Sequence, residues 1–276
     1  MTHSSHYDRS QIERWLQEDL GHHDVTNDVP GRTTGRLVAT AEGVAAGLDA
    51  AGAVFQYLDA AVTDCIDAGT AVDAGDVLLQ VEGPAAAVLR GERVAVNVAG
   101  HAAGVATRTR RAVEAAREVS DEVRVAGTRK TTPGLRGIEK RAVAAGGGDT
   151  HRLDLSHMVM VKDNHIAELG MTEAVERFRE RASFTTKVEV EVETPGDAPR
   201  AVEAGADVVL LDNMTPAETE RAVAVVDGAL TEASGGITVD EVPDYAATGV
   251  DVVSLGSLTH SAASLDLSFR TGREKG

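Results

Sequence analysis

A chain of 276 residues is long enough to bury a full core, and its 42% apolar but only 3% aromatic content means that the core is built from Ala, Val and Leu. The 44 acids against 27 bases give a formal charge of -17, an acidic shell suited to concentrated salt that offers nucleic acid no run of phosphate contacts. The lone Cys65 excludes an intramolecular disulfide and any multi-cysteine metal site, which fits a reducing cytoplasm; a polar opening, MTHSSHYDRS, and the lack of a membrane-length apolar run speak against a signal peptide or an anchor.

In chain order, Ser10 and Glu13 form a capping-box pattern, and Ile12, Trp15, Leu16 and Leu20 make a helical stripe that stops at Gly21. His22, His23 and Asp24 follow, too close in sequence to converge on a metal without a further ligand. Alternating runs from Gly35 to Gly47 and from Ala71 to Gly83, broken by Gly and Asp, predict antiparallel strands. With a helix near Ala51 to Ala61 they make a small α+β domain. From Pro84 the chain turns Ala-rich with helical period, and two helices are expected to bridge into a second domain, with the boundary near Ala103. The small residues Ala99, Gly100, Ala102, Ala103 and Gly104 allow close backbone approach, in a tight helix contact or a subunit interface.

Beyond that point apolar strands alternate with helices. Strands are expected at Val123 to Ala126, Met158 to Val161, Val188 to Val192, Val208 to Leu211, near Leu230 to Ala233, and at Val252 to Leu255. Helices are expected at Met171 to Arg181, Ala198 to Ala204, Pro216 to Val225 and Val239 to Thr248. Such a βαβ series predicts an α/β fold with a parallel barrel, whose strand carboxyl ends assemble the site. An open doubly wound sheet would instead gather its site at one switch point. The tail from Ser261 to Arg270 carries SLDLSF, an alternating run expected to return to the first domain as an edge strand.

Between Arg124 and Lys162 eight Lys or Arg stand against three acids, a local balance of +5. The chain has five lysines, and three of them, Lys130, Lys140 and Lys162, fall here, beside His151, His157 and His165. Arg129, Lys130, His151, Arg152 and Lys162 suit a substrate with several carboxylates or phosphates. Glu191 and Asp212, at strand ends beside these cations, either hold a cation, a metal or sugar hydroxyls, or, for Glu191, form a structural salt bridge. SGG at Ser234, Gly235 and Gly236, and SLGS with Leu255, Gly256 and Ser257, follow the last two strands, where barrels bind phosphate through backbone N–H groups. These groups together suit a transferase joining phosphoribosyl diphosphate to an aromatic diacid.

TRKTTPGLR (128–136), EKRAVAAGGG (139–148) with HR at 151 and 152, MVKDNHI (160–166), VEVEVE (188–193), LLDN (210–213), ASGGI (233–237) and GVDVVSLGSLTHS (249–261) resemble the quinolinate phosphoribosyltransferase family. EDLGHHDVTND (18–28) and GERVAVNVAGHAAGVAT (91–107) extend the resemblance over nearly the whole chain. It implies an N-terminal α/β sandwich (1–103, completed by the tail 262–276) joined to an incomplete parallel (β/α) barrel (104–261). It also implies a homodimer, or a hexamer built from dimers, in which Arg93 reaches into the partner's site. By the same resemblance Thr128, Arg129, Lys130, His151, Arg152 and Lys162 hold the quinolinate carboxylates and the diphosphate. Glu191 and Asp212 engage ribose hydroxyls and Mg²⁺, Ser234 to Gly236 and Leu255 to Ser257 hold the 5′-phosphate, and Lys130, Lys162, Glu191 and Asp212 are the catalytic set. The chain departs from the family pattern at His157, Thr150 and Ala103, none of them an expected ligand.

Overall fold

The computed structural model describes residues 7–272; residues 1–6, which open the stretch read as lacking a leader, and the last four of the tail lie outside the described residues. The chain forms two compact units, one of Met1–Arg108, Gly137–Gly147 and Ala262–Gly276, the other of Thr109–Arg136 and Gly148–Ser261. In this division the first unit runs through Arg108, five residues past Ala103, and a helix from the middle of the basic stretch is counted with the first unit.

The first part of the chain runs α1 (Arg9–Leu20), β1 (Arg32–Ala39), β2 (Gly43–Val44), α2 (Leu48–Tyr57), β3 (Ala61–Cys65), β4 (Ala71–Val72), β5 (Val77–Pro84) and α3 (Ala85–Arg117). Then come β6 (Arg124–Ala126), α4 (Arg136–Ala145), β7 (Val159–Val161), α5 (Asp163–Leu169), α6 (Met171–Arg181), β8 (Val188–Val192), α7 (Ala198–Glu203) and β9 (Val208–Asp212). The chain closes with α8 (Pro216–Val223), β10 (Leu230–Ser234), α9 (Val242–Ala246), β11 (Val252–Ser254), α10 (Ser257–His260) and β12 (Leu267–Thr271).

In the first unit, β12, β1, β5 and β3 lie in that order in an antiparallel sheet. The tail does return as an edge strand, Leu37 opposite Phe269, because its alternation sets Leu265, Leu267 and Phe269 against the same core. Phe269 stacks on the fully buried Phe55 with ring centroids 5.3 Å apart. Burying a ring of that size is worth about 2–3 kcal/mol. The expected Ser10–Glu13 capping box does not form: α1 already begins at Arg9, and Glu13 accepts instead from Arg9 Nε and the Tyr57 hydroxyl, each at 2.9 Å. β3, in a stretch that gives no apolar alternation, was not expected, since all five of its residues are at least partly exposed.

The bridging segment is one helix of 33 residues, not two. Its glycines are points of contact, not breaks. A Cβ at Gly91 would lie 2.7 Å from the Phe55 ring, and one at Gly104 would lie 2.0 Å from the Ala263 carbonyl oxygen. Leu265 N–H donates to the Gly100 carbonyl at 2.9 Å. The small-residue run therefore makes room for the returning tail.

In the second unit, β6, β11, β10, β9, β8 and β7 form a six-stranded parallel sheet whose edge strands are β6 and β7. Val188, Val190, Val192, Val209 and Leu211 pack with Ala174, Val175, Ala198 and Ala201 of α6 and α7. Side chains alternate along a strand, so Glu189, Glu191, Leu210 and Asp212 fall on the opposite, interior face. Register stacks that face in levels. Glu189 pairs with Val208; Glu191 and Glu232 both pair with Leu210; Asp212 pairs with Ser234, and Ser234 with Ser254.

Candidate active site

The carboxyl ends of the parallel strands interlock. Asn213 stands at a positive φ of 54°, donates its amide N–H to the Ser234 carbonyl (2.8 Å) and its side-chain Nδ2 to Asp212 (2.7 Å). Gly235, at φ 104°, is required there twice over: its conformation disfavours a side chain, and a Cβ would meet Asn213 Oδ1 at 2.4 Å. Ser254 Oγ donates to Ser234 Oγ at 2.9 Å, tying the last two strand ends together. Gly236, at φ 66°, has open space beside it.

Lys130 sits on the neighbouring loop, exposed, with its N–H on Thr128 Oγ1 (3.0 Å) and its carbonyl accepting from Thr259 Oγ1 (2.7 Å). A Cβ on Gly256 would lie 2.8 Å from Lys130 Cδ, so the TRK loop and the SLGS turn are in contact. Leu255 is buried, and its amide is already committed to the Ala126 carbonyl at 2.9 Å, which leaves it no N–H to offer a phosphate. Ser257 Oγ and Arg129 Nε are buried polar atoms without a hydrogen-bond partner. Unpartnered polar groups at strand ends are what a polar ligand would satisfy.

Lys162 follows β7 and donates to the Glu191 carboxylate, with Lys162 44% and Glu191 11% exposed in their side chains. The ion pair that sequence left as one of two readings of Glu191 is present. His165 has a structural role, because its Nδ1 accepts the Lys162 amide at 3.0 Å at the start of α5 and its ring meets Phe178 edge-on at 5.2 Å. His157 Nδ1 likewise accepts the Leu153 amide at 3.1 Å, and Thr150 Oγ1 donates to the His151 carbonyl at 3.1 Å. Ala103 is buried in the first unit's core.

Deeper on the interior face, His151 meets two buried acids. Its Nε2 is 3.0 Å from Glu232 and 3.6 Å from Glu189, and its Nδ1 accepts the Arg152 amide at 2.7 Å. Burial opposes charge on this ring, and the carboxylates of Glu189 and Glu232 favour it. The Arg152 amide, however, needs a lone pair on Nδ1. The observed contact belongs to the ring with its proton on Nε2, and charging it requires the 151–152 turn to open. Burial pushes the Glu189 carboxyl up to about 7. Arg152 is 8% exposed, its guanidinium 2.9 Å from Met160 Sδ, and its basicity is lowered by burial and by Arg129.

Sequence reasoning passed over Glu189 and Glu232, although period two puts Glu189 on the face of Glu191 and Glu232 on that of Ser234. His151, Glu189 and Glu232 also bring ligand atoms within 4.8 Å of one another, the one such group of three among the described residues. A cavity of about 560 Å³ reaches this trio from the amino ends of the strands, past Arg124, Lys187, Leu230 and Val252. It is therefore distinct from the carboxyl-end cluster of Lys130, Asp212 and the glycine loops.

The basic stretch does not form one patch. Lys140 is buried in the first unit, where its neighbour Glu139 meets His101 Nε2 at 2.9 Å and Arg141 lies 4.3 Å over the Tyr7 ring. Arg136 turns back to Thr131 Oγ1 at 3.0 Å. Arg93 is exposed on α3 in the first unit, 3.9 Å from Glu92.

The quinolinate phosphoribosyl transferase N-terminal domain model matches residues 24–103 and the C-terminal domain model residues 105–270. The chain belongs to the quinolinate phosphoribosyl transferase family. It is 45% identical over 270 residues to a protein of Methanothermobacter thermautotrophicus named probable nicotinate-nucleotide pyrophosphorylase (carboxylating), covering 94% of this chain and 96% of the relative. The human nicotinate-nucleotide pyrophosphorylase (carboxylating) is 41% identical, with 94% and 90% covered. The solved structure of the nicotinate-nucleotide pyrophosphorylase from Francisella tularensis superposes with a TM-score of 0.89 at 30% identity, over 95% of each chain. The two family models follow one another along the chain in the order of the quoted motifs. No helix among the described residues is long and apolar enough to cross a membrane.

Proposed function

We propose that the protein transfers the phosphoribosyl group of phosphoribosyl diphosphate to quinolinate and decarboxylates the product, giving nicotinate mononucleotide, diphosphate and CO₂ for NAD biosynthesis. The observation that carries this reading is the interior face of the parallel sheet in a chain of this family. There Asp212 stands in register with Ser234, one level beyond the Lys162-paired Glu191, and Ser234 is tied to Ser254, which leads into the Gly256–Ser257 turn.

In this reading Arg129, Arg152 and Lys162 hold the two acceptor carboxylates. A diacid uses several fixed cations where a monoacid needs fewer. Ser234, Gly235, Gly236, Gly256 and Ser257 cradle the 5′-phosphate, Leu255 contributing only its position in the turn, and Lys130 draws off charge on the diphosphate. Departure of diphosphate leaves an oxocarbenium-like ribosyl centre, which Glu191 and Asp212 stabilise while the pyridine nitrogen attacks. The nitrogen becomes quaternary. The 2-carboxylate then departs as CO₂, the quaternary nitrogen stabilises the electron pair left at the adjacent carbon, and that carbon takes up a proton from water to give nicotinate mononucleotide. The protein supplies position and charge complementarity.

Glu191 and Asp212 are hard oxygen donors on one face, a donor set that fits Mg²⁺. Mg²⁺ would neutralise charge on the diphosphate. Arg93, exposed on its helix, is read as completing the site of a partner subunit in a homodimer, and the acidic composition as adaptation to a salty cytoplasm. His151 is read as positioning Arg152, both ring nitrogens being occupied within the protein.

The test is chromatography of the products formed in concentrated KCl from phosphoribosyl diphosphate, Mg²⁺ and either quinolinate or nicotinate. Mononucleotide from quinolinate and none from nicotinate is expected; mononucleotide from nicotinate alone overturns the reading.

A further inference from the structure

Glu189 and Glu232 are acids buried on the interior face of the sheet, 0% and 3% exposed, and the substrate contacts described above use neither. A buried carboxylate is costly unless a partner compensates it, and an apolar pair of the same volume would stabilise a sheet interior at least as well. Their convergence on His151 Nε2 gives them a purpose. His151 is one of the few described non-glycine residues with a positive φ, 53°, a conformation that costs on the order of 1 kcal/mol and persists only when its surroundings hold it. Three contacts do so. The His151 amide donates to Asp149 Oδ1 at 2.7 Å, the Arg152 amide donates to His151 Nδ1 at 2.7 Å, and His151 Nε2 donates to Glu232 at 3.0 Å.

The ring thus works as a strut. One nitrogen fixes the backbone of Arg152, and the other is anchored in the sheet through β10. Glu189 closes the far side, both its oxygens buried without a hydrogen-bond partner and its nearer one 3.6 Å from the same nitrogen. The Arg152 guanidinium is itself packed on Met160 of β7, so a small rotation of the 151–152 turn would move its tip.

We propose that Glu232, backed by Glu189, is a positioning residue for acceptor recognition: its hydrogen bond to His151 Nε2 holds the left-handed 151–152 turn that aims Arg152 at the acceptor's carboxylates. The inference rests on the reading of Arg152 as a quinolinate ligand. Its consequence is selective. Phosphoribosyl diphosphate binds at the glycine loops and Lys130, which this strut does not touch.

The experiment compares the steady-state constants of Glu232→Met, which keeps the volume and removes the acceptor, with those of Glu232→Gln, whose amide oxygen still accepts from Nε2–H. In the Met variant the KM for quinolinate is expected to rise roughly 10- to 100-fold, with the KM for phosphoribosyl diphosphate within about 2-fold of wild type. The Gln variant should recover most of that loss. An unchanged quinolinate KM in the Met variant overturns the proposal, as do equal rises for both substrates, or a Gln variant as impaired as the Met one.

If the Met variant does not fold, Glu232→Ala titrated with formate reads the same bond, because the cavity beside the trio admits a small carboxylate. A quinolinate KM that falls with formate supports the strut, and one indifferent to formate overturns it. Failure of the functional reading looks different: the wild-type protein itself would make no mononucleotide from quinolinate.

Discussion

The ammonium of Lys162 donates to the carboxylate of Glu191 across the β7 and β8 ends, so the residue proposed to hold the acceptor and the residue proposed to face the ribosyl centre are joined by one ion pair. Lys162 is half-exposed and Glu191 nearly buried, so the pair contributes little to stability after solvent screening. In the proposed mechanism it holds two opposite charges ready for two substrates. Glu191→Gln keeps the shape and removes the charge that faces the oxocarbenium-like centre. We expect kcat to fall on the order of 10²-fold with quinolinate KM changed far less. Steady-state kinetics check this, and an unaltered kcat would contradict the role.

Arg152 is buried, and its approach to the interior face is fixed by the His151 turn. Arg152→Ala should raise the quinolinate KM roughly 10- to 100-fold, since a charged hydrogen bond to a carboxylate is lost, while phosphoribosyl diphosphate binding stays within a few-fold. Isothermal titration with each substrate separates the two. Equal losses would count against an acceptor role.

Glu189 gives the fold a pH dependence. Burial raises its folded pKa to about 7, against an ordinary value of 4.5. Between those values the folded protein retains a proton that the unfolded chain releases, so stability is fully present below about pH 4.5 and falls as pH rises to about 7. The amount is roughly 1–3 kcal/mol. Glu189→Gln removes this contribution, so its melting temperature should fall less than that of the wild type between pH 5 and pH 8. Parallel curves for the two proteins would refute the assignment.

Much of this was legible in the residues, for reasons that differ from element to element. The strands of the parallel sheet show because each is a short apolar run ending in chemistry, as at LLDN and ASGGI. The tail strand shows because SLDLSF alternates. The length of α3 was not legible: two helices were expected there, whereas Gly91, Gly100 and Gly104 lie within a single helix, beside Phe55 and the returning tail. The +5 charge of the central stretch suggested one pocket, but α4 carries Lys140 and Arg141 into the first unit. His165 was indistinguishable in sequence from a ligand and is a helix cap. Glu189 and Glu232 were hidden because their meaning depends on His151, which is distant in sequence and reaches them only in the fold.

Gly104 offers a test of the first unit. A Cβ there would overlap the Ala263 carbonyl at 2.0 Å, and backbone cannot swing aside as a flexible side chain can. Gly104→Ala should therefore cost about 1–3 kcal/mol, despite its better helix propensity. Thermal unfolding would show a melting point lower by several degrees; a stabilised variant would mean that the tail does not pack on α3 as described.

The central claim is that this site couples ribosyl transfer to loss of one particular carboxylate. The most direct measurement uses quinolinate carrying a carbon label in its 2-carboxylate, with phosphoribosyl diphosphate and Mg²⁺, following labelled CO₂ and mononucleotide together. The account predicts label released one-to-one with nicotinate mononucleotide, and none retained in the product. Mononucleotide that keeps the label, or CO₂ released without phosphoribosyl diphosphate, would contradict it.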